Sequence, residues 1–157
     1  MTDRELEELF RNIESDRVER KASLSDTSKV RQAICAFAND LPNYRQAGVV
    51  FVGVNDNGTC ANLAITDELL RTLSDMRSDG NILPFPVLTV RKIIVDGCEI
   101  AAVIVEPSDS PPLRFNGRVW IRVGPRRASA TTEEERRLNE KRRAGDLPFD
   151  LRPMPSA

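Results

Sequence analysis

Histidine is absent from this chain of 157 residues. Without an imidazole side chain, neither a Ser-His-Asp nor a Cys-His nucleophilic site can form, and histidine cannot ligate a metal. Any catalysis must therefore use carboxylate, lysine, arginine or hydroxyl groups. Apolar runs of about eighteen residues, which a membrane span requires, are also missing, and the acidic start MTDRELEELF lacks the charge pattern of a signal peptide. We expect a cytoplasmic protein without membrane association.

Cysteine is scarce. Cys35, Cys60 and Cys98 lie far apart in the sequence and form no C-x-x-C pair, which gives little support to a disulfide framework or a thiolate zinc site. We interpret Cys35 and Cys98 as core residues and Cys60 as an incidental loop thiol. The glycine-rich motifs G-x-x-x-x-G-K-[ST] and G-x-G-x-x-G are missing too, which argues against a P-loop ATPase.

The net charge of -1 conceals a strong asymmetry along the chain. Residues 1–113 hold 12 basic and 18 acidic residues, whereas residues 114–143 hold 10 basic and 4 acidic residues. A basic segment on an otherwise acidic domain is typical of a surface that faces a polyanion such as nucleic acid. An arginine-rich helix in solvent gives the same charge count without any ligand, so both interpretations stay open.

The spacing of apolar residues predicts an α+β fold. Helical periodicity predicts four helices, over residues 3–13, 29–40, 65–77 and from Thr131 or Thr132 to about Arg143. Runs of β-branched residues predict two strands: a short one over 17–22 and one over 48–54 that is buried on both faces. The pairs Asp96-Gly97 and Asn116-Gly117 each predict a β-hairpin. We expect a mixed, largely antiparallel sheet of two hairpins plus the central strand, flanked by three to four helices.

One compact domain is expected over residues 1–143, since a chain of this length builds a single modest core. Residues 144–157 contain the proline-rich, aperiodic sequence LPFDLRPMPSA. We interpret this segment as a tail or as a linker that leads to further C-terminal domains.

Acidic residues near the first strand and after the central strand are the candidates for catalysis. Glu19 and Lys21 form an E-x-K pair whose side chains share one face of a strand. Together with Glu14 and Asp56, they suit phosphodiester chemistry, because carboxylates bind Mg²⁺ or Mn²⁺ and a lysine steadies a phosphate. The alternative is structural: Glu14 and Glu19 pair with arginines at the surface, and Asp56 makes an Asx-turn.

A second group of candidates follows the proline-rich segment and is basic. Its members are Arg114, Arg118, Arg122, Arg126 and Arg127, with Trp120 between them on the predicted strand. Arginines neutralise backbone phosphates, and Trp120 or Phe115 can stack on an unpaired base. A lone tryptophan on a strand more often packs in a core, and the charged helix over about 132–143 is explained by its own i,i+3 and i,i+4 ion pairs.

Four sequence blocks, taken together, resemble the Schlafen-type AlbA domain. They are IESDRVERK, AFAND, GVVFVGVNDNG and WIRVGPRRASATTEEERRL, in this order, and the resemblance covers roughly residues 12–140. Two positions depart from the family pattern: Arg20 replaces the usual aromatic residue, and LPNYRQA stands where many relatives have a Gly-Gly pair.

This resemblance implies a compact α/β domain whose bacterial relatives are associated with DNA binding and transcriptional regulation. In animal Schlafen proteins the domain cuts structured RNA with a three-carboxylate metal site. The resemblance places the first two carboxylates at Glu14 and Glu19, the third at Asp56, and the family's lysine at Lys21.

The first hypothesis is therefore a regulatory domain that binds DNA or RNA through phosphate contacts of the segment WIRVGPRR. The second is an endonuclease that holds Mg²⁺ or Mn²⁺ with Glu14, Glu19 and Asp56, assisted by Lys21. The third is an interaction module, in which the charged helix and the tail dock a partner or a second copy of the chain and form a homo-oligomer.

Overall fold

The computed structural model describes residues 1–146. The helices are α1 (Asp3–Arg11), α2 (Thr27–Asn39), α3 (Asp67–Asp75) and α4 (Thr132–Asp146). The strands are β1 (Val18–Lys21), β2 (Gly48–Val52), β3 (Ile82–Leu83), β4 (Leu88–Val95), β5 (Cys98–Val105), β6 (Arg114–Phe115), β7 (Arg118–Val123) and β8 (Arg126–Ser129). Helix α4 continues three residues beyond the predicted domain end, and the rest of the predicted tail lies outside the described residues.

The strands form two four-stranded sheets, and neither closes into a barrel. The first has the order β1-β2-β5-β4, with β1 parallel to β2 and the other pairs antiparallel. The second has the order β3-β6-β7-β8 and is antiparallel throughout. The α+β class and both hairpins are confirmed, whereas the expectation of one sheet is not met because each hairpin belongs to a different sheet.

Strand β2 is buried on both faces, as predicted. Val50 and Val52 pack into an apolar cluster with α2 and the second sheet, whereas Val49 and Phe51 pack with Leu6 of α1 on the opposite face. This division follows from the alternation of side chains along a strand. Helix α2 therefore lies against both sheets and joins them into one body.

Side-chain caps define the starts of all four described helices, and on α2 the Asp26 carboxylate accepts from the Lys29 amide at 3.3 Å. Thr2 and Glu5 form a capping box on α1, and Thr66 caps α3 as predicted. At α4 the Thr131 hydroxyl accepts from the Glu134 amide at 3.2 Å while the Glu134 carboxylate accepts from the Thr131 amide at 2.9 Å. Thr131, rather than Thr132, is therefore the N-cap.

Within residues 1–146, none of the helices combines the length and apolarity needed to cross a lipid bilayer.

Cys60 and Cys98 form a disulfide, with their Cα atoms 5.8 Å apart and a sequence separation of 38. The interpretation of Cys60 as an incidental thiol is therefore wrong. Sequence separation gave no hint of the pairing, because the turn after β2 folds back on itself, with a β-bridge between Val54 and Cys60, and reaches the start of β5. Cys35 is buried, in agreement with its predicted core position.

We expect the folded, oxidised protein to show no thiol that reacts with Ellman's reagent. Burial raises the pKa of the Cys35 thiol to about 11, so the reactive thiolate is absent at pH 8. Unfolding should expose one thiol per chain, and unfolding with reduction should expose three. A colorimetric thiol count under these three conditions makes the measurement. Three thiols in the unfolded, unreduced protein would contradict the disulfide.

Candidate functional site

An open cleft of about 470 Å³ lies where strand β1, the β7–β8 turn and the turn after β2 meet. Seven of the predicted site residues line it: Glu19, Lys21, Asp56, Trp120, Arg122, Arg126 and Arg127. Glu14, Arg114 and Arg118 are not part of this lining. The fold thus brings most of the acidic and basic candidates into one place, although they come from separate parts of the sequence.

Three cations surround the Glu19 carboxylate. Oε1 of Glu19 lies 2.7 Å from Nη1 of Arg122 and 2.9 Å from Nε of Arg127, and Oε2 lies 3.6 Å from Nζ of Lys21. The exposed fractions of these side chains are 10% for Glu19, 7% for Arg122, 18% for Arg127 and 20% for Lys21. We call these four residues the ionic cluster.

Strand β1 explains how the ionic cluster assembles. Val18 and Arg20 are buried on one face of β1, and Glu19 and Lys21 project together on the other, which matches the predicted E-x-K geometry. Arg127 is held from a second direction, because its Nη1 donates to the Gln32 side chain at 2.7 Å and to the Lys29 carbonyl at 3.2 Å. The cluster therefore links β1, β7, β8 and α2.

Arg122 lies inside the protein rather than on the predicted basic surface. Its Nη2 donates to the Val18 carbonyl at 2.7 Å, and its guanidinium stacks over the Phe37 ring at 5.0 Å from the centroid. Side-chain alternation along β7 places Arg118, Trp120 and Arg122 on one face of the strand. Arg118 is exposed, whereas Arg122 is covered by β1 and α2 and faces the Glu19 carboxylate rather than an open surface.

Burial also affects the basicity of the cluster. It lowers the pKa of the Lys21 ammonium, and the attraction of Glu19 opposes that shift. It lowers the pKa of Arg122 in the same way, again opposed by Glu19. An arginine stays protonated at any physiological pH. One carboxylate therefore faces three basic groups, and positive charge remains in the cleft.

Asp56 lies at the tip of the turn after β2 and is exposed. The turn is held by Asn55, whose side chain donates to the Thr59 hydroxyl at 3.0 Å, and by Asn57, which accepts from the Thr59 amide at 3.1 Å. Across the cleft, Asp56 attracts the Arg20 guanidinium and raises its pKa against the larger lowering by burial. Arg20, the position that departs from the family pattern, donates to the Phe10 carbonyl at 2.6 Å.

The three predicted carboxylates do not fit a metal site as they are packed. In the part of the chain that the structure describes, no group of three His, Cys, Asp or Glu residues is close enough to hold an ion. Glu14 is exposed outside the cleft, and both Glu19 oxygens already face cations. The distances around Glu19 instead match the structural alternative, in which this acid pairs with arginines.

The remaining basic candidates have separate surroundings. Arg114 forms an ion pair with Glu135 of α4 at 2.9 Å. Trp120 is partly buried against the main apolar cluster and also lines the cleft, and among residues 1–146 its Nε1 has no hydrogen-bond partner. Leu138 of α4 is buried against Val119 and Ile121, so this charged helix is docked on the second sheet rather than simply solvated.

A second groove of about 590 Å³ continues from the cleft and shares Arg20, Lys21 and Asp56 with it. Lys29, at the start of α2, adds a further positive charge to this groove. Sequence reasoning missed both Lys29 and Gln32. Their spacing of three on a predicted helix was the available signal, because residues three apart share a helix face.

Comparison with known proteins adds two similar structures. A structure of the DIP2311 protein from Corynebacterium diphtheriae has 19% sequence identity and a TM-score of 0.55, covering 83% of this chain and 27% of that one. The N-terminal domain of a RecG-related protein from Nitrosomonas europaea has 24% identity and a TM-score of 0.51, covering 81% of this chain and 89% of that one. This chain thus spans about a quarter of the corynebacterial protein's chain. These likenesses show the fold.

No curated protein matches the chain. The family model described as Schlafen, AlbA_2 matches residues 14–131. This match extends from Glu14, just after α1, to the N-cap of α4, and it contains every residue of the ionic cluster. The chain therefore belongs to the Schlafen AlbA_2 family.

Proposed function

We propose that this domain binds nucleic acid, with the cleft and the adjoining groove as the contact surface. The observation that carries the proposal is the charge of the lining, in which basic residues outnumber acidic ones. The basic residues are Arg20, Lys21, Lys29, Arg122, Arg126 and Arg127, and the acidic residues are Glu19, Asp26 and Asp56. A groove with excess positive charge attracts a phosphate backbone. Family membership supports the proposal, as does the resemblance to a domain whose parent protein is named for a DNA helicase.

The residues of the groove take different roles in this proposal. Arg126 and Lys29 are exposed and contact phosphates directly. Arg122 holds Glu19 and the Val18 backbone in place through its hydrogen bonds. Trp120 contributes aromatic surface on which an unpaired base stacks. The role proposed for the domain is therefore regulatory binding of DNA or RNA rather than catalysis.

We expect the double variant Arg126→Ala/Lys29→Ala to weaken binding of a labelled oligonucleotide roughly tenfold at about 0.1 M salt. Each lost phosphate contact should also reduce the slope of log K against log salt concentration by about 1. Fluorescence anisotropy over a salt series provides both values. Arg4→Ala is the matched control, since Arg4 is an exposed arginine of α1 outside the cleft and should leave both values unchanged. A binding constant that does not change with salt concentration would contradict the proposal.

A gel assay distinguishes binding from cleavage. The wild-type domain and a Glu19→Ala variant are incubated with single-stranded DNA, duplex DNA and tRNA, each with Mn²⁺ or EDTA. Intact, shifted nucleic acid with both proteins is the expected result. Cleavage that requires Mn²⁺ and disappears in the variant would replace this proposal with the endonuclease hypothesis.

A further inference from the structure

The ionic cluster has the geometry of a site for a single anion. A groove that only follows a phosphate backbone needs cations spread along its length, whereas here three cations converge on the two oxygens of one carboxylate. A phosphate group presents the same kind of oxygens to arginine, and bidentate contacts to arginine are common for both anions. The cluster is therefore chemically suited to phosphate as well as to carboxylate.

Glu19 does not satisfy all of the donors around it. Among the residues that the structure describes, the buried Nε of Arg122 has no hydrogen-bond partner, although Arg122 is 93% buried and lines the cleft. The Lys21 ammonium is also 3.6 Å from its carboxylate oxygen, which is longer than a good hydrogen bond. A phosphate has more acceptor oxygens than a carboxylate and carries up to two negative charges, so it offers more to these donors.

We propose that Lys21, Arg122 and Arg127 form a phosphate site that the chain's own Glu19 occupies, and that an incoming phosphate group binds by displacing the Glu19 side chain. This inference rests on the proposed function and deepens it, because it names the group that the cleft recognises and the residue that limits its affinity. The Glu19 side chain can be displaced from the three cations, because it lies on β1, an edge strand of the first sheet, and lines the open cleft. In this arrangement the carboxylate keeps the cations ordered and excludes weakly bound anions.

The test compares the full chain with its Glu19→Gln variant, which keeps the shape of the side chain and removes the charge. Thermal unfolding is followed with inorganic phosphate or pyrophosphate, against sodium chloride at the same ionic strength. We expect the variant to melt at a lower temperature without phosphate, because three cations lose their counter-charge. Phosphate should then raise its melting temperature more than that of the wild type, with an apparent phosphate affinity roughly tenfold higher.

Asp79→Asn is the matched control. Asp79 forms a partly buried ion pair with Arg31 at 2.8 Å, outside the cleft, so the same chemical change there should lower stability without creating a phosphate response. Equal phosphate responses in Glu19→Gln and the wild type would overturn the proposal and leave Glu19 with a purely structural role. If Glu19→Gln does not fold, Glu19→Asp shortens the side chain and keeps its charge, and an unchanged phosphate affinity in that variant would overturn the proposal too.

Oligonucleotide binding separates this inference from the proposed function. A wild-type protein that binds DNA or RNA, with no gain in Glu19→Gln, would reject the phosphate site and retain the function. A phosphate response in the variant without oligonucleotide binding by either protein would retain the site and reject the function. Oligonucleotides with and without a 5′-phosphate identify the source of the group: a gain restricted to the phosphorylated strand indicates a terminal phosphate, and equal gains indicate a backbone phosphate.

Discussion

Replacing Asn39 with alanine is expected to lower the free energy of unfolding by about 3 to 5 kcal/mol. Asn39 is fully buried at the end of α2. Its amide nitrogen donates to the carbonyls of Leu113 and Trp120 at 3.1 and 2.7 Å, and its amide oxygen accepts from the Leu113 backbone amide at 2.6 Å. Alanine removes this partner from all three backbone groups, and the Leu113 carbonyl keeps only the Cys35 thiol at 3.1 Å. A buried group left unsatisfied costs about 1–3 kcal/mol.

Urea unfolding followed by circular dichroism measures this loss. Asn139→Ala serves as the control, because Asn139 is exposed on α4 and donates only to a carbonyl of its own helix, that of Glu135. We expect that control to change the free energy of unfolding by less than about 0.5 kcal/mol. A similarly small effect of Asn39→Ala would mean that the polar link between α2 and the second sheet does not contribute to stability.

Gly48→Ala is expected to destabilise the domain by about 3 kcal/mol, because the position has no room for a methyl group. A Cβ at residue 48 would overlap Cγ and Cδ1 of Phe37 and lie 2.8 Å from Cε1 of the same ring. The ring cannot move freely, since the Arg122 guanidinium stacks on it. A shift of Phe37 would therefore also disturb the ionic cluster.

Two companion variants test this explanation. Gly145→Ala adds the same methyl group in α4, where the new Cβ would lie in ordinary contact at 3.8 Å from the Asp109 carbonyl oxygen, so it should not destabilise the domain. Phe37→Leu should recover part of the loss when combined with Gly48→Ala, because the smaller side chain makes space. Additive losses in the double variant would show that the steric explanation is wrong.

Local signals in the sequence predicted most of the elements. The Asp96-Gly97 and Asn116-Gly117 turns occur in the two hairpins, and the continuous apolar run at β2 corresponds to a strand covered on both sides. Strands β3 and β8 were missed. The first has only two residues, and the second, RRAS, consists largely of polar residues whose strand geometry comes from pairing with β7.

The candidate site was predictable where it depends on neighbours in sequence and unpredictable where it depends on packing. The E-x-K spacing placed Glu19 and Lys21 on one face of a strand, as observed. Nothing in the spacing of β7 indicated that β1 and α2 would cover Arg122 while leaving Arg118 exposed. The approach of Cys60 to Cys98 likewise depends on a turn and a hairpin that meet only in the folded domain.

The bond between Cys60 and Cys98 gives this domain two covalent forms. It closes a loop over a sequence separation of 38 residues, which corresponds to about 4 kcal/mol of stabilisation in a chain-entropy model. The turn that carries Asp56 ends at Cys60, so the same bond anchors one wall of the cleft to β5. Reduction would remove the covalent tether between this turn and β5, so the oxidised and reduced forms of the chain differ in how the turn that carries Asp56 is held.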